Sequence, residues 1–170
     1  LEQATVRRFS DGARQSRAKV TILTAVLADA AGYGRVARDD AGRVIGIVER
    51  RDDDPNRRSG PTEINSGMMV LDAAWARAAL PRVCPSAATG ELYLTDLVAL
   101  AVGEADPQAP WPVAAVPGDG DDVLGVNDRV DLARAESRAW ERKRERVMRG
   151  GVTLRLPETI VIDEHVEIGP

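Results

Sequence analysis

The sequence predicts an α/β fold in which one sheet carries helices, followed by a long polar helix and a short terminal segment of different character. Three observations carry that prediction. Val20-Thr21-Ile22-Leu23-Thr24-Ala25-Val26-Leu27 is a near-continuous apolar and β-branched run, the pattern of a strand buried on both faces of a sheet. Glu63-Ile64-Asn65-Ser66-Gly67-Met68-Met69-Val70-Leu71 is a second strand, bounded by Gly60-Pro61 and by an alanine-rich helical stretch. After Gly125 the chain turns into a long charged helix with almost no apolar face, which does not belong to a sheet-packed core.

In order, residues 1–18 read as a helix with Leu1, Val6 and Phe9 as sparse apolar anchors. The buried strand follows, then a loop with Gly32-Tyr33-Gly34. Residues 35–38 and 43–50 flank Asp39-Asp40-Ala41-Gly42, a hairpin signal in which glycine supplies the positive φ. Residues 51–62 are charged and punctuated by proline and glycine, so they read as a solvent-facing loop. Residues 73–80 form a short helix stopped by Pro81, residues 84–90 a loop, and residues 92–101 a helix with an apolar face. Val113-Ala114-Ala115-Val116 is one more short strand. The acidic stretch Gly118-Asp119-Gly120-Asp121-Asp122 lacks the alternating ligand spacing and terminal glutamate of a calcium loop and reads as a solvated turn. Asn127 or Asp128 caps the long helix, with Asp131 in its first turn, and Gly150-Gly151 ends it near Met148. Its polarity predicts that it bridges two domains or lies along a partner. The tail places Ile162 and Ile168 six residues apart, the spacing of a hexapeptide β-helix.

Composition narrows the function. At 170 residues, with 44% hydrophobic and 29% charged residues, the chain buries one real core and is ordinary for a soluble globular protein. A net charge of −4 argues against a general nucleic-acid binder, which needs a basic face. The single cysteine, Cys84, forms no internal disulfide, which suits the reducing cytoplasm, and it reads as a small buried hydrophobe rather than a nucleophile. No apolar run reaches the length of a membrane span and no signal peptide opens the chain. The first residue is Leu1, so the chain is expected to be a piece of something longer.

The second strand breaks its own rules in the middle. Asn65 prefers local backbone bonds and Gly67 costs conformational entropy, so both are depleted from strands. Failures of local preference inside a clear element mark functional sites. They suit still better a β-bulge that merely bends an edge strand, and the residues alone favour the bulge over the site.

Five short motifs, in order, carry a family resemblance: Gly32-Tyr33-Gly34-Arg35, Gly46-Ile47-Val48-Glu49, Glu63-Ile64-Asn65-Ser66-Gly67, Gly90-Glu91-Leu92-Tyr93-Leu94-Thr95-Asp96 and Gly125-Val126-Asn127-Asp128-Arg129. Together they resemble the bifunctional N-acetylglucosamine-1-phosphate uridylyltransferase and glucosamine-1-phosphate acetyltransferase of bacterial cell-wall synthesis. The resemblance covers nearly the whole chain. It implies three parts: residues 1–126 as the later portion of a Rossmann-like nucleotidyltransferase sheet, 127–150 as a linker helix, and 151–170 as the start of a left-handed parallel β-helix. It also implies the substrates UTP and N-acetylglucosamine-1-phosphate, Mg2+ as cofactor, and a homotrimer for the full-length protein. By position, Gly34 matches the glycine whose backbone approaches the sugar, Glu49 the acid that accepts from sugar hydroxyls, and Asn65 the amide on the sugar's opposite side. Tyr93 and Thr95 match residues lining that pocket, and Asn127 the asparagine that helps hold magnesium beside the phosphates. A carboxylate and an amide suit hydroxyl recognition, because one accepts only and the other both accepts and donates.

The departures bear on activity. The family's Gly-rich loop with basic partners, which cradles the nucleotide phosphates, and the aspartate that shares the magnesium are not found in these residues. The family's acetyl-CoA site lies on β-helix coils that would follow Pro170. Neither active site is expected to be complete in this chain, and no complete catalytic set is assigned. Related thymidylyl or guanylyl transferases with an added β-helix, and a non-catalytic trimerisation module, are the alternative readings.

Overall fold

The run that reads as a doubly buried strand forms β1 (Val20–Leu27), with its first six residues buried. It is shielded at both edges, by β4 (Thr62–Leu71) running antiparallel and by β5 (Val113–Pro117) running parallel. With β2 (Arg35–Arg38) and β3 (Val44–Val48) they make a five-stranded mixed sheet in the order β3-β2-β4-β1-β5. This computed structural model describes residues 2–30, 32–49, 60–123, 125–126 and 128–169. Most of the expected charged loop over residues 51–62 lies outside the described residues.

Side-chain alternation along β1 sends Val20, Ile22 and Thr24 to one face and Leu23 and Ala25 to the other. On the first face α2 (Ala73–Ala79) and α3 (Asp96–Gly103) cover the sheet, packing Ala79, Leu97, Val98 and Ala101 against Val20, Ile22, Val44 and Val113. On the second face α1 (Gln3–Ser16) contributes Phe9 to a cluster with Leu23, Ala25, Ala30, Ile64 and Val123. Of the expected anchors of α1, Phe9 is buried, whereas Val6 is exposed and the small residues Thr5 and Ala13 take the inward positions four residues either side of Phe9.

The hairpin forms where the sequence places it. Gly42 takes φ 77°, its amide donates to the Asp39 carbonyl, and the Asp39 carboxylate accepts from the Arg43 amide at 2.8 Å. The expected bulge in β4 also forms, but in the middle strand of the sheet rather than at an edge. Ile22 pairs with Met69 and Thr24 with Asn65, so Ser66, Gly67 and Met68 bulge opposite Leu23, with Gly67 at φ 86°.

Three expectations need correction. The helix expected over residues 92–101 begins at Asp96, because residues 91–95 instead make loop and turn. Cys84 is exposed, in the proline-flanked loop after Arg82, rather than buried. The acidic stretch is not wholly solvated: residues 120–123 form a short 3-10 turn in which Asp122 is buried and accepts a hydrogen bond from the Thr5 hydroxyl. Among the described residues no group of three or more His, Cys, Asp or Glu side chains could hold a metal ion.

The chain divides into two compact units, Leu1–Val123 and Leu124–Pro170. In the second, α4 (Arg129–Arg149) starts at Asp128, whose Oδ1 accepts from the amides of Val130 and Asp131, each at 2.8 Å. The polar middle of α4 turns out to hold the tail. Lys143 is 93% buried by its 7% exposure and donates to the Glu164 carbonyl at 2.7 Å, while Arg144 donates to the Ile160 carbonyl at 2.9 Å. Arg146 pairs with the Glu164 carboxylate at 2.9 Å. No strand forms among the described residues 152–169, so β-helix rungs are not seen there. A single repeat has no neighbour against which to bury its face, and the carbonyls of Ile160 and Glu164 are taken by cations instead.

Candidate functional site

Strand register builds the site. Thr24 on β1 faces Asn65 on β4. Arg35 on β2 pairs with both Ile64 on β4 and Val48 on β3. One residue further along, Gly34 therefore stands opposite Asn65 on one side and Glu49 on the other. The Asn65 amide donates to the Gly34 carbonyl at 2.8 Å, which fixes that step. Residues directly opposite each other share a face, so Glu49, Gly34, Asn65 and Thr24 form one row on the side covered by α3. Glu49 and Asn65 are two strands apart, about 10 Å between their main chains.

Each position in the row has a distinct chemistry. A Cβ on Gly34 would lie 2.9 Å from Ile47 Cγ2 and 3.4 Å from both oxygens of Glu49, so the Glu49 carboxylate sits directly above the bare main chain of Gly34. Thr95, at the start of α3, does not cap its helix with its side chain. Its hydroxyl donates instead to Glu49 Oε1 at 2.6 Å, ordering the carboxylate while leaving further lone pairs. Tyr93 stands two residues earlier, its hydroxyl 2.9 Å from that of Thr89. Asn65 is 6% exposed, and its Oδ1 is buried with no hydrogen-bond donor. A buried amide oxygen left without a donor costs about 1–3 kcal/mol, so its retention in a middle strand needs a reason beyond the sheet.

The flank of the row is braced by charge. Arg38 grips Glu63 through two hydrogen bonds, each at 2.7 Å. That pairing, and a hydrogen bond from Thr24, hold the Glu63 carboxyl below the usual carboxylate range, while partial burial pushes the other way. The same contact raises the Arg38 guanidinium. Tyr33 donates to the Val123 carbonyl at 3.1 Å, tying the Gly32-Tyr33-Gly34 turn to the end of the first unit.

The structure thus brings Gly34, Glu49, Asn65 and Thr95 together, and sets Tyr93 two residues before Thr95. Asn127 lies outside the described residues. Thr24 was not singled out from the sequence, because a threonine within a β-branched run is indistinguishable from a packing residue until its cross-strand partner is known. The pairing of Arg38 with Glu63 is invisible in the sequence for the same reason, its members being 25 residues apart along the chain.

No protein-family model matches the chain. Among curated proteins it is similar to the bifunctional protein GlmU of Caldanaerobacter subterraneus subsp. tengcongensis, with 42% identity over 150 residues, covering 88% of this chain and 32% of that protein. It is similar to the bifunctional protein GlmU of Corynebacterium diphtheriae, with 40% identity over 169 residues, covering 99% of this chain and 34% of that protein. The GlmU of Prochlorococcus marinus is 39% identical over 170 residues, with 99% of this chain and 36% of that protein covered. The chain spans about a third of the length of these relatives.

Proposed function

We propose, from the chain's membership of the family of bifunctional GlmU proteins, that it is the sugar-binding portion of an N-acetylglucosamine-1-phosphate uridylyltransferase. The complete protein would transfer a uridylyl group from UTP to the sugar phosphate, releasing pyrophosphate, and supply UDP-N-acetylglucosamine for cell-wall precursors. The second activity, acetyl transfer, would belong to the bifunctional whole. The single observation that carries this reading is the buried, donorless Oδ1 of Asn65, set in one row with a carboxylate held over a glycine.

Each group has a role in it. Glu49, oriented by Thr95, accepts from hydroxyls at one side of the ring. Asn65 would turn its buried oxygen towards the ring and receive a donor there, which relieves its desolvation. Gly34 lets the ring approach the main chain where any side chain would collide with Ile47 and Glu49. Tyr93 completes the wall. These groups position the sugar phosphate for attack on the α-phosphorus, and positioning is the main contribution a protein makes to phosphoryl-type transfer.

Magnesium would supply charge neutralisation at the phosphates. The described residues do not make a site for it, and the amide of Asn127 is a weak ligand for a hard cation that prefers carboxylates and water. Asn127 is therefore proposed only as an auxiliary ligand, with no step assigned through the metal. The nucleotide-phosphate cradle is proposed to come from the part of the relatives that this chain does not span. On this reading the chain alone does not turn over UTP. Homotrimer formation through α4 and a β-helix, and a cytoplasmic location, are proposed for the whole protein; among the described residues no helix is long and apolar enough to cross a membrane.

The test is a titration of the 15N-labelled chain with N-acetylglucosamine-1-phosphate, with glucose-1-phosphate in parallel. Amide shifts centred on Gly34, Glu49, Asn65 and Thr95, larger for the N-acetyl sugar and lost in Asn65→Ala, are expected. Equal responses to both sugars would favour a thymidylyl or guanylyl relative, and no response would reject the sugar site.

A further inference from the structure

The backbone ladder joins the β2–β3 hairpin to the rest of the sheet at one end only, and the Arg38–Glu63 side-chain pair is its further tie to β4. Among the described residues β2 pairs with β4 at Arg35 and Ile64, joined by the bond from the Asn65 amide to Gly34, and the hairpin then departs from β4. β3 has β2 as its strand partner, so the ladder places Glu49 relative to Asn65 only through Gly34, and the roll of β3 about that point follows the twist of a two-stranded ribbon. Such ribbons span the widest range of twist. Something other than the sheet ladder has to set it.

The far end of the hairpin is held by a latch. Trp111, just before β5, donates its indole Nε1–H to the carbonyl of Val44, the first residue of β3, at 2.9 Å. The Arg43 guanidinium lies over the same indole, 4.2 Å from the ring centroid. Asp39 across the turn holds Arg43 in that pose with an ion pair at 2.7 Å. Val44 itself is buried with Val113, so the hairpin tip is pinned against β5, at the opposite edge of the sheet.

We propose that Trp111 and Arg43 are positioning residues for Glu49: the latch sets the twist of the hairpin, and β3 carries that setting to its other end, where the Glu49 carboxylate meets Thr95 above Gly34. The indole N–H fixes the depth of the strand and the stacked guanidinium fixes its roll, because the ring accepts a cation only over its face. For sugar binding this rests on the reading of Glu49 as the hydroxyl acceptor. The geometric part stands without it.

The experiment follows the side-chain carboxylate 13C resonance of Glu49 in the ligand-free chain, then titrates N-acetylglucosamine-1-phosphate. Trp111→Phe keeps the ring and removes the N–H. Arg43→Gln removes the stacked cation at an exposed position, so one readable variant remains if Trp111→Phe does not fold. Phe9→Leu, in the cluster beneath α1, is the control for a general loss of stability. A shifted or broadened Glu49 resonance in the latch variants and not in Phe9→Leu is expected, with the dissociation constant for the sugar phosphate raised about tenfold, half on a logarithmic scale of the roughly hundredfold cost of a 1 Å misplacement. An unmoved Glu49 resonance in the folded latch variants, or an equal change in Phe9→Leu, overturns the inference. Absence of sugar-phosphate binding by the wild-type chain would reject the proposed function, while the ligand-free resonance still decides the latch.

Discussion

Replacing Asn65 with valine is expected to stabilise the protein while abolishing the proposed sugar site. The Asn65 Oδ1 is buried without a donor, a defect worth about 1–3 kcal/mol. Valine is β-branched and favoured in strands, adding up to about 1 kcal/mol over asparagine. Fitting the new methyl groups beside Thr24 and Gly34 gives back up to about 1.5 kcal/mol. The backbone bond from residue 65 to the Gly34 carbonyl does not involve the side chain and survives. The net expectation is about 1 kcal/mol of added stability, a rise in Tm of about 3–5 °C for a unit of this size. Urea unfolding followed by circular dichroism measures it, alongside the N-acetylglucosamine-1-phosphate titration. The sign discriminates, because substitutions at buried positions ordinarily destabilise. A loss of more than about 1 kcal/mol would show that the amide oxygen has a protein partner, and the case for Asn65 as a ligand-facing group would fall with it.

Gly34→Ala places a Cβ 2.9 Å from Ile47 Cγ2, a branch of a stiff side chain that cannot swing clear, so it is expected to cost about 1–3 kcal/mol and to dislodge Glu49 from Thr95; the Glu49 carboxylate resonance and thermal melting check both parts. Arg82, Lys19 and the Trp75 indole pull the Glu104 carboxyl down to about 2, from an ordinary 4.5. A depressed carboxylate contributes stability above its ordinary value and loses it as pH falls towards about 2, so the stability gap between wild type and Glu104→Gln, present at neutral pH, is expected to close below 4.5 in acid titrations of the melting point. Lys143→Met removes the donor to the Glu164 carbonyl, worth about 1.5 kcal/mol, and is expected to speed protease cleavage within residues 152–169 about tenfold with unfolding of the first unit unchanged, as read by limited proteolysis and mass spectrometry.

Local chemistry determined most of the elements from the sequence. The β-branched run of β1, the Asp39–Gly42 turn, the glycine and asparagine that interrupt β4, and the acidic cap of α4 each act over a few residues, so their types are enough to read them. The five motifs, read in order, also carried the resemblance to the bifunctional GlmU proteins, with which the chain shares about 40% identity. Tertiary structure decided what lies across strands. That Glu49, Gly34, Asn65 and Thr24 share one row follows from pairing register, which no stretch of chain states alone. The bulge could be read from Gly67, but its place in the middle of the sheet depended on β2 arriving on the far side of β4. Cys84 and Asp122 depart from what their residue types predict because burial is a property of the surroundings: a proline-flanked loop leaves the apolar thiol in water, and α1 brings Thr5 to cover the carboxylate. The polar helix α4 reads from sequence as a bridge between domains or a surface along a partner, and only the tertiary structure shows the tail folding back to give the buried Lys143 a carbonyl for its charge.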